Sequence, residues 1–410
     1  MISTAKSCPS DSVVSEKSFT EKKPLALYLH LPFCKRKCLY CGFYSIPSPP
    51  DVEFSRYSVA IQSEIDLYRR RGLLEGYRLH SLYLGGGTPS YYPLAELETI
   101  LTKINETFTF SENIEITIEA NPDSLTREKL NVWGSWGINR LSLGVQTGQE
   151  RLLQTLGRPY GRRLLDKVFN MITKENWPEL NLDFIYHIPG QSEHFLFADL
   201  ALIAQLRPAH ISYYELTLED DTPMNSQYAD SFHSDLEDKT GARFFMLIDE
   251  FLTKRGYDHY EISNYSLPER EARHNLAYWK EREYLGLGAA AASFMKGNRF
   301  TNPQDIETYY AAVQSGIPSM DQPETRSQHQ VILEQIFLGL RTKNGLDLVK
   351  LMRNDTDKIS ALFDKINEYW PCSYWQWQSP RLRLLPQGWL LTNSLSTMLW
   401  EWVISNPIDN

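Results

Sequence analysis

Cysteine is scarce in this chain, with five among 410 residues, at positions 8, 34, 38, 41 and 372. So few, and an odd number, exclude a disulfide-built scaffold. Long apolar runs are missing as well. The most apolar stretch, residues 284–294, is about half the ~18 to 20 residues a membrane span needs. Positive charge is in deficit: 42 Lys and Arg face 51 Asp and Glu, a net charge of −9. That leaves no electrostatic footprint for nucleic acid. There is no internal repeat and no low-complexity tract. Residues 1–24 lack the apolar segment of a secretory signal and read as a disordered tail that contains Cys8. What remains is ordinary, 42% hydrophobic and 23% charged, and long enough for two to three domains. The cysteine usage suits a reducing compartment, so the expected location is cytoplasmic. Aromatics are the exception: 23 Tyr and 10 Trp offer flat faces to a planar ligand as well as to a core.

Short β-rich segments alternate with helical stretches. Residues 25–30, 81–85, 114–119, 139–144, 180–185 and 210–216 read as strands. Helices are expected over 56–71 and 94–107 and from residues 126 and 148 onward. Such alternation implies a parallel sheet with helices outside it. Six steps in ~200 residues suit a partial (β/α)6 barrel better than a full eightfold one. The rhythm changes after residue 220. A long helix is expected over 234–255, an irregular aromatic-rich stretch to about residue 300, a helix over 330–341 and a hairpin over 381–392. The expected division is therefore a tail (1–24), a barrel (25–220), a barrel extension (221–324) and a small α+β, winged-helix-like C-terminal domain (325–410). In an acidic chain that last shape does not imply DNA binding.

Three cysteines fall within eight positions, in Phe33-Cys34-Lys35-Arg36-Lys37-Cys38-Leu39-Tyr40-Cys41-Gly42-Phe43. The spacing is C-x3-C-x2-C, directly after the first strand. Three thiolates on one loop can hold three irons of a [4Fe–4S] cluster and leave the fourth open to another ligand. Lys35, Arg36 and Lys37 favour thiolate formation. The alternative is a zinc site with His30 as fourth ligand, although zinc sites usually pair two C-x2-C knuckles. Polar residues recur at the ends of successive strands. Gly85-Gly86-Gly87-Thr88-Pro89 follows the second strand, Glu119 ends the third, Gln146 follows the fourth and Asp183 lies in the fifth. Residues at strand ends converge on the mouth of a barrel, where sites are built.

The cysteine spacing after a first strand resembles the radical S-adenosylmethionine (SAM) superfamily. Leu27-Tyr-Leu-His-Leu-Pro-Phe-Cys34, Gly85-Gly-Gly-Thr-Pro89, Glu119-Ala-Asn-Pro122, Asn139-Arg-Leu-Ser-Leu-Gly-Val-Gln146, Leu156-Gly-Arg158 and Asn181-Leu-Asp183 narrow the likeness to its coproporphyrinogen oxidase-like branch. The resemblance covers roughly residues 25–400. It implies the (β/α)6 barrel, a [4Fe–4S] cluster on Cys34, Cys38 and Cys41, and SAM chelating the open iron. It also implies SAM contacts at Tyr28, Gly86, Gly87, Thr88, Glu119, Gln146, Arg158 and Asp183. Within the branch, the oxidases resemble C-x3-C-x2-C-x-C, whereas Phe43 stands at the fourth cysteine position, as in the heme chaperone (HemW) family. Arg273-His274-Asn275-Leu-Ala-Tyr278-Trp279 is similar to the H-N-x-x-Y-W motif of that family, which implies heme contacts at His274, Asn275, Tyr278 and Trp279. A His nitrogen can ligate heme iron while Tyr and Trp offer planar surface. The function so implied is a heme chaperone that hands heme to an acceptor hemoprotein. It needs no nucleic acid and no membrane span, with room for peripheral contact with membrane hemoproteins. The second reading is an oxygen-independent coproporphyrinogen III dehydrogenase, which decarboxylates propionates. Three positions depart from the pattern: Tyr160 and Ala292 replace common histidines, and His187 replaces a glycine.

Overall fold

The computed structural model describes residues 22–406 except 176, 233, 234, 318 and 322. Most of the expected tail, Cys8 included, lies outside the described residues, and Lys23 already belongs to the first strand. Six parallel strands form the centre: β1 (Lys23–Leu31), β2 (Tyr77–Gly86), β3 (Phe110–Ala120), β4 (Arg140–Gln146), β5 (Glu179–Tyr186) and β6 (His210–Glu215). They pair in chain order. Helices Asp51–Arg70, Leu94–Thr107, Arg127–Ser135, Arg162–Glu175 and Glu193–Leu206 fill the connections.

Period-two alternation assigns the two faces of this sheet. Leu25, Leu27, Leu29 and Leu31 of β1, Ile116 and Ile118 of β3, and Leu141, Leu143 and Val145 of β4 join one hydrophobic core. The alternate positions carry Tyr28, His30, Thr117, Glu119, Arg140, Ser142, Asn181, Asp183, His210 and Ser212. Most parallel sheets are apolar on both faces. Here the inner face is polar, which fits a barrel that encloses a ligand instead of a packed core.

The aromatic-rich stretch, expected to be irregular, extends the sheet at both edges. Asn264–Ser266 pairs antiparallel with β6 and with Asp258–Glu261. Helix Arg273–Trp279 then leads across to Tyr284–Leu287, which pairs parallel with β1. Ala292–Met295 and Asn298–Thr301 follow antiparallel, making eleven strands.

The C-terminal unit is α+β. Leu346–Asp347, Arg381–Leu384 and Trp375–Gln378 form a three-stranded antiparallel sheet beside helices Gln328–Leu340, Thr356–Tyr369 and Thr392–Ser405. The expected hairpin over 381–392 is corrected: its second half is helical, with Pro386 opening helix Pro386–Trp389. Pro fits the first helical turn, where its missing N–H has no partner to lose. The true hairpin joins Trp375–Gln378 to Arg381–Leu384. Trp389 anchors the unit to the barrel extension. Its Nε1 donates within the unit to Leu340 O at 3.0 Å, while its ring meets His259 of the extension edge-on at 4.3 Å.

Candidate functional site

The cysteine loop leaves the C-terminal end of β1 and is pinned on both sides. Phe33–Cys34 pairs in parallel with Ile46–Pro47. Ile46 N donates to Pro32 O and Ser48 N to Cys34 O, both at 2.8 Å. Midway, Leu39 N donates to Leu156 O at 3.2 Å and Leu39 O accepts from Met224 N at 3.1 Å. Cys34 is buried, while Cys38 and Cys41 are half-buried. Thr88 Oγ1 donates to Cys34 Sγ at 3.2 Å. Burial pushes the Cys34 thiol up to about 11, and the nearby Cys41 and Cys38 add to the rise. Burial also raises Cys41, against a downward pull from Lys37 and Arg158.

The three sulfurs are thus close enough to feel one another. Yet among the described residues no three His, Cys, Asp or Glu side chains converge on a single ion. The two facts agree when each thiolate takes a different iron of a cluster, since such ligands stand further apart than those of one tetrahedral zinc. His30, the alternative zinc ligand, is otherwise engaged. Its Nδ1 lies 2.9 Å from Tyr28 OH and its Nε2 3.2 Å from Tyr44 O. Burial lowers its pKa to about 4.

The glycines bring β2 onto this loop. Gly86 sits at φ +109, and a Cβ there would stand 2.6 Å from the His30 ring. A Cβ on Gly87 would stand 2.5 Å from Pro32 O. Glycine alone fits both positions. Gly86 N donates to Glu119 Oε2 at 3.2 Å, and Tyr83 OH donates to Glu119 Oε1 at 2.7 Å. Asp183 accepts from Ser142 Oγ and from Asn181 Nδ2, each at 2.8 Å. Arg158 donates to Asn121 Oδ1 at 2.9 Å and to Tyr40 OH at 2.6 Å. Tyr28, Gly86, Gly87, Thr88, Glu119, Gln146, Arg158 and Asp183 therefore gather with the cysteines around one end of the barrel.

Several polar groups at this end have capacity to spare. Arg158 Nε is enclosed without an acceptor. Gln146 holds φ +67 without being glycine, a strain that tends to mark functional positions. Tyr214 keeps 41% of its surface exposed, yet desolvation drives its hydroxyl far up. It lines an internal recess, not the outer surface. The donor set and the recess fit a cluster with a small polar ligand beside it. Tyr83, Tyr40 and Asn121 belong to this site; Tyr40 and Asn121 lie within the quoted motifs, yet none of the three is singled out there as a contact. Tyr83 was readable from alternation, two positions before Gly85 on the inner face.

Desolvation raises Glu119 from 4.5 to about 7, outweighing its two hydrogen bonds. The folded chain therefore keeps this proton to higher pH than the unfolded chain, and folding loses stability as pH climbs from about 4.5 through 7. Glu119→Gln keeps an acceptor but removes the titration. In the cluster-free protein, its stability relative to wild type is expected to rise between pH 5 and pH 8, by roughly 2 kcal/mol or less. A pH-independent difference between the two proteins contradicts this assignment.

The H-N-x-x-Y-W residues adjoin this site from the side of the N-terminal halves of the strands, with the His274 ring 5.1 Å from that of Tyr83. Glu115 caps their helix, accepting from Arg273 N at 2.8 Å and His274 N at 2.9 Å. His274 is 1% exposed. Its Nδ1 lies 2.9 Å from Ser81 Oγ and its Nε2 2.8 Å from Tyr278 OH, and burial lowers its pKa to about 3. In this conformation neither nitrogen is presented to a ligand. Asn275, Tyr278 and Trp279 are half-buried. The departures are absorbed locally. Tyr160 OH donates to Gly144 O at 2.9 Å. His187 takes φ +61, with Nδ1 3.0 Å from Glu215 Oε1. Ala292 is exposed at a strand start.

Residues 28–201 match the model of the radical SAM superfamily. The heme chaperone HemW of Lactococcus lactis is 34% identical over 350 residues, covering 84% of this chain and 88% of that protein. The heme chaperone HemW of Synechocystis is 35% identical over 351 residues, 83% of each. Among solved structures, coproporphyrinogen III oxidase (HemN) from Escherichia coli superposes with a TM-score of 0.74 at 20% identity, covering 92% of this chain and 90% of that one. At that identity the likeness concerns the fold.

Proposed function

The chain belongs to the HemW family of the radical SAM superfamily, and from that premise we propose that it is a heme chaperone. It binds heme and passes it to an acceptor hemoprotein. A [4Fe–4S] cluster sits on Cys34, Cys38 and Cys41, with SAM beside it. The cluster supplies an iron without a protein ligand, which the amino and carboxylate groups of SAM can occupy, and a store for one electron. The chain's own residues shape that place. Thr88 orients the Cys34 sulfur. Glu119, held by Tyr83 and Gly86, offers a carboxylate to a cationic amine, whose charge would favour loss of its proton. Gln146, Arg158 and Asp183 supply polar contacts, and Tyr28 lines the inner wall.

The observation that carries this reading is the likeness to HemW proteins across 84% of the chain, well beyond the stretch common to the superfamily. Phe43 supports it, standing 73% exposed two residues after Cys41, where the oxidase pattern has a cysteine. The proposed heme contacts at His274, Asn275, Tyr278 and Trp279 carry a structural condition. The helix Arg273–Trp279 must leave Ser81 and Tyr83 before His274 can reach iron. No helix among the described residues is long and apolar enough to cross a membrane, so an acceptor in a membrane would be met from outside it. We place the protein in the cytoplasm.

The competing reading, a coproporphyrinogen dehydrogenase, is tested directly. Cluster-reconstituted protein, SAM, a reductant and coproporphyrinogen III are incubated under anaerobic conditions. The expected outcome is neither CO2 nor a decarboxylated porphyrinogen. Turnover to the divinyl product would replace the chaperone with an enzyme.

A further inference from the structure

Arg140 opens β4, and strand alternation turns it inward, opposite Leu141, Leu143 and Val145. It is 3% exposed. Among the described residues its guanidinium makes no hydrogen bond and no ion pair. Every other buried charge nearby is engaged. Asp183 takes Ser142 and Asn181, and Glu115 takes two backbone N–H groups of the helix Arg273–Trp279. At 3% exposure its head group is not wholly enclosed, and it looks onto space inside the barrel. Tyr83, Asp183, His210, Tyr260 and His274 all feel its charge, which places it among them.

An unpaired buried cation is costly, and proteins seldom keep one. Here the cost has an explanation if the counter-charge arrives with a ligand. The planar fork of arginine suits a carboxylate, which it can hold by two parallel hydrogen bonds. Aromatic groups surround it: Tyr83 lies 6.2 Å from Tyr28 and 5.1 Å from His274, ring to ring. A flat ligand with an acidic side arm matches that lining. We infer that Arg140 receives a carboxylate of the ligand bound in the barrel, one propionate of a tetrapyrrole. The inference rests on the heme reading above and deepens it. Arg140 also neighbours His274, so a heme admitted by movement of the helix Arg273–Trp279 would meet the guanidinium. SAM's own carboxylate and a small inorganic anion are the competing sources of negative charge.

The experiment titrates the reconstituted full-length protein, anaerobically, with hemin and with hemin dimethyl ester, whose propionates are blocked. Soret absorbance reports binding to wild type and to Arg140→Gln. Wild type is expected to prefer hemin by about 10-fold or more, as for a charge-assisted bidentate pair. The variant should bind the two equally, with ester affinity and SAM affinity unchanged. Its melting temperature should equal or exceed that of wild type, since an unpaired buried charge is gone. A variant that keeps the preference overturns the inference, as does one that melts well below wild type, which would make Arg140 a structural residue. Loss of SAM affinity assigns the carboxylate to SAM. Stabilisation of wild type but not the variant by sodium phosphate, with no hemin preference, assigns it to an inorganic anion. Absence of any saturable hemin binding by wild type is a different failure, that of the heme reading itself.

Discussion

Replacing Cys34, Cys38 or Cys41 with alanine is expected to abolish cluster assembly. After anaerobic reconstitution, iron should fall from about four per chain to below about one, with loss of the visible charge-transfer absorbance. In the proposed cluster each thiolate would be the sole protein ligand of its iron, so no neighbour could substitute. His30, the nearest alternative, has both nitrogens engaged. The loop itself should survive, because backbone pairing between Phe33–Cys34 and Ile46–Pro47 holds it. The circular dichroism of the variants should therefore match that of wild type. Cys372 is exposed on the C-terminal unit, and Cys372→Ala should keep full iron. Unchanged iron in the Cys38 variant would contradict the cluster assignment.

Glu64→Ala is expected to be the most damaging single change away from that site. Glu64 lies in the helix Asp51–Arg70, is 2% exposed, and takes four hydrogen bonds on its two oxygens. Oε1 accepts from Asn302 Nδ2 at 2.6 Å and Tyr68 OH at 3.1 Å. Oε2 accepts from Gly288 N and Tyr309 OH, both at 2.8 Å. Three of these partners belong to the extension on the β1 edge, so one carboxylate binds that extension to the barrel. Desolvation raises its pKa and the four donors hold it down. Truncation leaves three buried donors (Tyr68 OH, Gly288 N and Tyr309 OH) without an acceptor, strips Asn302 Nδ2 of one of its two, and opens a cavity, at a cost of about 3–5 kcal/mol. Thermal unfolding should shift down by roughly 5 °C or more. Glu64→Gln keeps the volume and part of the acceptor capacity, and should lose less than half as much. A negligible shift for Glu64→Ala would mean that the extension is held by apolar packing alone.

The polar network around Glu64 shows where sequence reading stops. Three of its four partners lie 224 to 245 positions away, and nothing local in the helix announces them. The six central strands were legible because each alternates in period two: β3 reads Ile114-Glu-Ile-Thr-Ile-Glu119, with isoleucines toward the helices and polar groups inside. The cysteine loop and the Gly85–Gly87 run were legible because their spacing has a direct chemical meaning. The edge strands over 258–301 were not. They are three or four residues long, too short for a periodic signal, and they form because the open barrel presents edges to pair with. His274 exposes another limit. A motif can name a histidine, but whether its nitrogens are free depends on Ser81 and Tyr278. Arg140 could have been noticed as a charge in Arg-Leu-Ser-Leu-Gly-Val-Gln, yet only the packed structure shows that the charge lacks a partner among the described residues.

The proposed chaperone must both bind heme and give it away. Hemin is titrated anaerobically into the cluster-reconstituted protein with Soret detection, alongside His274→Ala, and the loaded protein is then mixed with an apo-hemoprotein such as apomyoglobin. Saturable one-site binding, weakened in the variant, is expected, followed by growth of the acceptor's Soret band as the donor's declines. Absence of saturable binding, or heme that stays on the donor at a large excess of acceptor, would overturn the chaperone reading.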